Sequence, residues 1–156
     1  MRLRGENEVR EFFTNRGIRK EIHVFSESTH NSELAAKHLG VAVGQIAKTI
    51  LLLVDEAPMV VVISGDRRVD WKKVKALRNG RRVRLAGPED VEKHTGFPVG
   101  AVSPVALPED LPIYLDSSLL RFETVFPAGG ETNNMFRTTP EESLSLTGAK
   151  EADLAQ

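Results

Sequence analysis

The sequence has 156 residues, of which 40% are hydrophobic and 28% are charged, and its formal net charge is −1. This profile predicts one globular domain, and the absence of cysteine excludes disulfides, thiol catalysis and cysteine-ligated metals. No apolar run is long enough to span a bilayer, and the first residues, MRLRGENEVREFF, lack a secretory hydrophobic region. A cytoplasmic location is therefore expected.

Hydrophobic periodicity and turn residues predict a series of helices and short strands. Ser32 is the expected N-cap of the second helix, and Asp70 of the third. In the third helix, Trp71, Val74 and Leu77 are expected to face inward. Helices are predicted over residues 6–16, 32–39, 71–78 and 88–94, with a short one opening at 140, and strands over 22–25, 49–54, 59–64, 82–85, 113–115, 124–126 and 135–138.

The order of these elements is not a regular alternation of strand and helix. Residues 55–58 form a short connection between two strongly apolar strands, which predicts an antiparallel hairpin. The predicted fold class is α+β, with a mixed, largely antiparallel sheet flanked by helices. One domain is expected over residues 1–148, and residues 149–156 are expected to form a flexible tail.

Lys48 is unusual because it leads directly into the apolar strand predicted over residues 49–54. An isolated ammonium group is costly to bury. Either the side chain extends to solvent from the strand end, which its position alone favours, or it reaches into a functional cleft.

Basic residues are concentrated between residues 67 and 84, and they are opposed only by Asp66 and Asp70. Such a patch on a nearly neutral protein predicts binding to a nucleic-acid backbone, and the alternative is an ordinary solvated helix face. The residues expected to bind nucleic acid are Arg67, Arg68, Lys72, Lys73 and Arg81.

Most familiar catalytic motifs are missing. The chain has no phosphate-binding loop, dinucleotide fingerprint, zinc-protease motif or nucleophile elbow, and His23, His30, His38 and His94 have no metal-binding spacing. No metal or cofactor is therefore expected. Two glycine-rich loops remain, over residues 96–104 and 127–130. Their backbone N–H groups could stabilise an oxyanion, although structural turns have the same composition.

Four segments occur in an order typical of one family: SELAAKHLGVAVGQIAKTILL, VVVISGDRRVDWKKVKAL, TGFPVGAVSPV and LPIYLDSSLLRFETVFPAGGETNNMFRTTPEE. Lys48 precedes the apolar strand, and Gly100 and Pro104 form a GxxxP motif. In these features the chain resembles the YbaK/prolyl-tRNA synthetase insertion-domain family of aminoacyl-tRNA editing deacylases. The resemblance implies a mixed sheet curled toward a barrel, with helices outside.

The resemblance also implies an activity. A free-standing member would hydrolyse the ester that joins a wrong, small amino acid such as alanine, cysteine or serine to the terminal adenosine of a tRNA. It implies that Lys48 anchors the substrate end, that the backbone of the loop from Gly100 to Pro104 positions the scissile carbonyl, and that water or a substrate group attacks. The implied substrate-binding residues are Phe25, Ala101, Val102, Ser103, Gly129, Gly130 and Asn133.

The implied partners are the acceptor end of a tRNA and, as an open alternative, an aminoacyl-tRNA synthetase; no membrane is involved. Monomer and homodimer both remain open. Two departures from the family concern substrate identity. Many members carry an aspartate after the second glycine loop, where this chain has Asn133 and Asn134, and some carry a tyrosine where it has Phe25.

Two other functions compete with deacylation. One is a non-catalytic tRNA- or synthetase-binding module, and the other is an esterase or amidase for small molecules. The basic stretch disfavours the small-molecule enzyme, because phosphate contacts dominate nucleic-acid affinity. The intact Lys48 and GxxxP motif favour the deacylase over the binding module.

Overall fold

The structure, a computed structural model, describes residues 2–29 and 31–156, so the predicted loop histidine His30 lies outside the described residues. Its helices are α1 (Glu6–Asn15), α2 (Ser32–Leu39), α3 (Trp71–Arg78), α4 (Pro88–Thr95) and α5 (Pro140–Thr147). Its strands are β1 (Ile22–Val24), β2 (Ile46–Val54), β3 (Ala57–Ser64), β4 (Val83–Leu85), β5 (Ile113–Asp116), β6 (Phe126–Pro127), β7 (Asn134–Phe136) and β8 (Lys150–Ala152). The predicted α+β class is confirmed. Within the described residues, no helix has the length and apolarity needed to cross a membrane.

The β2–β3 hairpin is the centre of the fold, and its antiparallel pairing, predicted from the short connection, is confirmed. The turn is tighter than expected, because Asp55 and Glu56 alone connect the strands, with φ values of 49° and 67°. Two consecutive positive φ values are typical of the hairpin turn that matches strand twist. The Asp55 carboxylate accepts hydrogen bonds from the N–H groups of Arg81 and Arg82, which joins this turn to β4.

The other strands extend this hairpin into a mixed sheet. Their order is β4-β2-β3-β5-β8, and β6 also pairs with β2. The pairs of β2 with β3 and β4 are antiparallel, whereas β6, β5 and β8 join in parallel. A second, two-stranded sheet of β1 and β7 is linked to the end of β6 by the isolated bridges Val125↔Thr138 and Ala128↔Met135.

The central hairpin is buried on both faces, as its continuous apolar sequence predicts. Leu51 and Val62 face a core that also receives Phe13 of α1 and Val91 of α4. The opposite face packs against Val74 of α3. Successive side chains of a strand alternate between faces, so each half of the strand's apolar residues fills a different core.

The structure corrects several sequence predictions. Asn31, rather than Ser32, caps α2, because its side chain accepts a hydrogen bond from the Leu34 N–H at 2.7 Å. In α3 only Val74 is buried, whereas Trp71 is 41% exposed and Leu77 is 43% exposed, since this short helix contacts the sheet along a narrow stripe.

The third correction concerns the expected flexible tail over residues 149–156. Residues 150–152 of this segment form β8 beside β5, and Leu154, which follows the strand, is only 1% exposed. The Leu154 N–H donates to the buried Asp116 carboxylate at 2.6 Å, and the Asp70 N–H donates to the Leu154 carbonyl oxygen at 2.7 Å. The segment therefore completes the sheet and covers the core on the α3 side.

Candidate functional site

The sheet has an opening along the outer edge of β2. β6 pairs with Ile46 and Ala47 at one end of the strand, and β4 pairs with residues 52–54 at the other. Between these two partners, residues 48–50 have no strand on their outer side within the described chain. These residues are only partly buried, in contrast to those on either side of them.

The register of the hairpin decides which main-chain groups face this opening. The Gly65 N–H donates to the Ile46 carbonyl oxygen at 2.7 Å, and in an antiparallel ladder the bonding direction alternates from residue to residue. Every second residue from Ile46 therefore bonds with β3, whereas Thr49 directs its N–H and C=O outward. Neither group has a hydrogen-bond partner among the described residues.

A cleft of about 580 Å³ lies at this opening. One side carries charged and polar side chains from the start of α2 and from the loop after β3, and the other side carries small or apolar groups. The described lining residues are Thr29, Asn31, Ser32, Glu33, Ile46, Ala47, Lys48, Thr49, Gly65, Asp66, Arg67, Arg68, Gly100, Val102, Ala128 and Met135.

Lys48 faces this cleft instead of extending freely to solvent. It lies within β2 and not before it, because the strand begins at Ile46 and not at the predicted residue 49. Its Nζ donates a hydrogen bond to the Arg67 carbonyl oxygen at 2.8 Å. Partial burial lowers the pKa of Lys48 below the usual 10.5; the nearby Arg68 acts in the same direction, and the Glu33 and Asp66 carboxylates oppose it. The site thus holds a partly desolvated cation that an anionic substrate group could approach.

The charged side of the cleft is positive in balance. Asp66 accepts two hydrogen bonds from the Arg121 guanidinium, at 2.7 and 3.2 Å, and these bonds lower the pKa of Asp66. Its charge is therefore largely compensated, while Lys48 and Arg68 have no carboxylate within ion-pair distance among the described residues. Such a surface suits phosphate and ribose oxygens.

The loop after α4 supplies the opposite wall through Gly100 and Val102. Gly100 has a φ of 84°, a conformation that glycine tolerates best. The Ala101 N–H is already used in a turn with the Pro98 carbonyl oxygen at 3.1 Å. The N–H groups of Gly100 and Val102 have no hydrogen-bond partner within the described chain.

The remaining predicted residues of this loop lie behind it. Ser103 is fully buried, and its hydroxyl accepts a hydrogen bond from the Val105 N–H at 3.4 Å. Pro104 lines a different hollow, beside Phe12 and Leu107. These residues shape the loop and are not among the described lining residues of the cleft.

The second glycine loop is held together by Asn134, which is 1% exposed. Its Oδ1 accepts from the N–H groups of Gly129 (3.1 Å) and Glu131 (3.0 Å), and its Nδ2 donates to Glu6 Oε1 at 2.9 Å. Gly130, with a φ of 98°, lies so close to Gly5 that a Cβ would be 2.6 Å from the Gly5 carbonyl carbon.

Asn133 and Phe25 are likewise outside the described cleft lining. The Asn133 Nδ2 donates to the Phe25 carbonyl oxygen at 3.1 Å, and the Phe25 N–H donates to the Asn133 carbonyl oxygen at 2.7 Å. The Phe25 ring stacks on His38, with centroids 5.2 Å apart, and lines a separate hollow. Of the second loop, Ala128 lines the cleft, whereas the predicted Gly129 and Gly130 are not among its described lining residues.

The predicted nucleic-acid-binding residues fall into two groups. Arg67 and Arg68 lie at the cleft. Lys73 is committed to the structure, because its Nζ donates to Asp153 at 2.9 Å and to the Ala155 carbonyl oxygen at 2.7 Å. The side chains of Lys72 and Arg81 have no ion-pair or hydrogen-bond partner within residues 2–29 and 31–156.

Thr49 is the main site residue that sequence reasoning missed. Its hydroxyl is buried and has no hydrogen-bond partner among the described groups, an arrangement that typically costs about 1–3 kcal/mol. Nothing local distinguishes this threonine from a normal strand residue, because its environment depends on where β4 and β6 end. Glu33 and Asp66 were missed for a similar reason, since the tertiary fold brings the start of α2 beside the loop after β3.

The described residues offer no group of three or more His, Asp or Glu side chains that could hold a metal ion. What the site does present is a cation, free backbone N–H donors and a small apolar wall. This combination can bind an anionic chain at one side and orient a carbonyl group at the other.

Comparisons with known proteins identify the family. The model of the aminoacyl-tRNA editing domain matches residues 26–146. Bacillus subtilis YwhH is 36% identical over 143 residues, which cover 91% of this chain and 90% of YwhH. EbsC of Enterococcus faecalis, named as a candidate Cys-tRNA(Pro)/Cys-tRNA(Cys) deacylase, is 28% identical over 131 residues, or 83% of this chain and 80% of EbsC.

A solved structure shares the whole architecture. The crystal structure of a candidate trans-editing enzyme for prolyl-tRNA synthetase superposes with a TM-score of 0.90 at 37% sequence identity, covering 97% of this chain and 96% of that one. The family match spans the α2 start, the Lys48 strand and both glycine loops, so it includes every described residue that lines the cleft. The chain belongs to the aminoacyl-tRNA editing domain family.

Proposed function

We propose that this protein is a free-standing aminoacyl-tRNA deacylase that hydrolyses the ester of a tRNA mischarged with a small amino acid such as alanine, cysteine or serine. The observation that carries the proposal is that Lys48, Gly100 and Val102, which are distant in the sequence, line one cleft. The names of EbsC and of the trans-editing structural relative support it, because both concern the removal of amino acids from tRNA.

In this proposal the two sides of the cleft have different tasks. Lys48 and Arg68 bind the phosphate and ribose oxygens of the terminal adenosine. The free N–H groups of Gly100 and Val102 hold the ester carbonyl and stabilise the negative charge that develops on its oxygen. The attacking oxygen comes from water or from the substrate itself. An ester needs less activation than an amide, so positioning and backbone donors can suffice.

The size of the apolar wall favours small amino acids. Val102, Ala128 and Met135 are apolar residues that line the same cleft as Gly100. A short substrate side chain would fit beside these residues without displacing them, whereas a bulky one would have to enter the space between β2 and the Gly100 loop.

The tRNA body is proposed to lie across the basic surface beyond the cleft. Arg68, Lys72 and Arg81 would contact backbone phosphates, and the reaction would take place in the cytoplasm, where charged tRNA is used. A synthetase partner would present the mischarged acceptor end. The trans-editing relative points to prolyl-tRNA synthetase as the enzyme whose errors are corrected.

The test is a deacylation assay with tRNA(Pro) carrying alanine, cysteine, serine or proline. We expect loss of at least one of the first three amino acids and retention of proline. The matched control is Lys48→Ala under the same conditions. If the protein binds all four charged tRNAs and hydrolyses none, it is a non-catalytic tRNA-binding module and the proposal fails.

A further inference from the structure

Thr49 presents three polar groups that the described chain leaves unsatisfied. Its N–H and C=O point away from β3 at the opening of the sheet, and its hydroxyl is buried without a partner. All three belong to a residue that lines the cleft. Because buried polar groups are nearly always hydrogen-bonded in folded proteins, their joint occurrence points to a ligand.

The pleat of β2 places Thr49 and Lys48 on opposite faces of the strand. Thr49 shares its face with Ala47 and Leu51, which pack in the same core as Val102. Lys48 faces the loop that carries Arg67. The Thr49 hydroxyl is therefore on the side of the cleft that would receive the amino acid, and the cations are on the side that would receive the tRNA. The Thr49 N–H and C=O lie between these two sides, at the outer edge of the strand.

We propose that Thr49 positions the aminoacyl group by pairing with its main-chain atoms, as a neighbouring strand would. An aminoacyl ester has the same nitrogen, α-carbon and carbonyl as a strand residue, so it can form the two hydrogen bonds of one bonded pair. The Thr49 N–H donates to the ester carbonyl oxygen, in addition to the N–H groups of the Gly100 loop. The Thr49 carbonyl and hydroxyl oxygens accept from the α-ammonium group. This inference rests on the proposed deacylase function.

The pairing has a consequence for substrate choice. A substrate with an acylated amino group keeps its carbonyl and one N–H, which can still pair with the Thr49 carbonyl oxygen, but it loses the positive charge and the further N–H groups that the Thr49 hydroxyl accepts from. The protein should therefore bind N-acylated and peptidyl esters more weakly than free aminoacyl esters, whereas a site that binds only the carbonyl group would not distinguish them.

The experiment measures binding of a stable substrate analogue by calorimetry. The probes are adenosine carrying alanine through a 3′-amide, which cannot be hydrolysed as an ester, and its N-acetyl form. Thr49→Val removes only the hydroxyl and keeps the branched shape, and Thr49→Ser keeps the hydroxyl. Thr14→Val, on the exposed side of α1, is the control for the substitution itself.

The wild type should bind the alanyl probe at least about tenfold more tightly than the N-acetyl probe. Thr49→Val should lose about tenfold for the alanyl probe and almost nothing for the N-acetyl probe, while Thr49→Ser and Thr14→Val resemble the wild type. The melting temperature of Thr49→Val should not fall, since the change removes an unsatisfied buried hydroxyl. A purely structural threonine would give the opposite, a lower melting temperature without probe selectivity.

Parallel deacylation assays separate this inference from the proposed function. If the probes bind as expected but no mischarged tRNA is hydrolysed, Thr49 has the assigned role and the proposed activity is wrong. If tRNA is hydrolysed but Thr49→Val binds both probes like the wild type, the role of Thr49 is overturned. Failure of the wild type to bind the alanyl probe, or equal hydrolysis of alanyl-tRNA and N-acetylalanyl-tRNA, overturns it as well.

Discussion

Lys48 has a lowered pKa and lies at the cleft, so the affinity of the protein for tRNA is predicted to depend on pH. The ammonium form binds the anionic end of tRNA, so affinity should fall as the pH rises through the lowered pKa, below the usual 10.5. Lys48→Arg should keep its affinity over the same range, because arginine stays protonated. Filter binding of uncharged tRNA between about pH 7 and pH 10 measures both.

The contribution of Lys48 to folding stability should change with pH in the direction opposite to that of tRNA affinity. Burial disfavours the ammonium form in the folded state. Between the lowered pKa and 10.5 the unfolded chain therefore binds more protons, and the contribution of Lys48 to stability rises with pH.

Lys48→Ala should abolish deacylation with little change in melting temperature. A variant that unfolds, or that retains full activity, contradicts the assigned role.

Gly100 is predicted to act through its backbone conformation. A Cβ at this position would meet only Thr132 Cγ2, at 3.6 Å, which is an ordinary contact. The cost of Gly100→Ala therefore comes from the φ of 84°, and relaxation would turn the loop's N–H groups away from the carbonyl. The single-turnover rate should fall about 10²–10³-fold, with tRNA affinity nearly unchanged.

Gly148→Ala is the matched control, because Gly148 also has a positive φ, of 70°, and ends α5. A Cβ at Gly148 would have no other atom within 4 Å, so the backbone conformation alone determines the cost there too. The variant should lose similar stability and keep the wild-type rate. If Gly100→Ala keeps its rate and loses affinity, the loop positions the tRNA and not the reacting carbonyl.

At the scale of elements, β8 is predicted to be essential to the sheet despite its terminal position. Leu154 is buried beside Val69 and Val74, so Leu154→Ala should lower the free energy of unfolding by about 2–5 kcal/mol. Urea denaturation measures this loss. The control Lys150→Ala changes an exposed residue of β8 itself, in the same terminal segment, and should have a small effect. Equal free energies of unfolding for Leu154→Ala and the wild type would mean that the terminal segment is dispensable.

At the scale of the whole molecule, the basic surface is predicted to bind the tRNA backbone through its unpaired cations. Replacing Arg68, Lys72 and Arg81 by glutamine should weaken binding of all tRNAs alike. The slope of log affinity against log salt should fall by about one unit or less for each phosphate that is no longer neutralised. Filter binding at several salt concentrations provides the slopes.

The control for this experiment replaces cations that are already paired. Arg10 is bound to Glu6 at 2.8 Å, and Arg84 to Glu56 at 2.8 Å. Their joint replacement by glutamine should leave the salt slope unchanged. Lys73 is unsuitable as a test residue, because its removal would also break its hydrogen bonds with Asp153 and Ala155. An unchanged slope in the triple variant would place the tRNA on another face.

The sequence by itself determined the features that depend on local interactions. The hairpin of β2 and β3 follows from two apolar runs around a short turn, and the end of α2 follows from Gly40, which has the expected left-handed conformation. Lys48 and the loop at Gly100 could be singled out as well, because a charged residue beside an apolar strand and a glycine-rich loop are visible in the chain itself.

Only the tertiary structure decided which residues meet. The opening at Thr49 exists because β6 and β4 pair with opposite ends of β2, and neither strand's limits are encoded near residue 49. The position of β8 also depends on the tertiary structure. Its sequence is polar, as in a flexible tail, and it forms a strand because it pairs with the edge of β5. Pairing between distant segments depends on the complete fold, so local patterns could predict the elements of the site but not the gap between them.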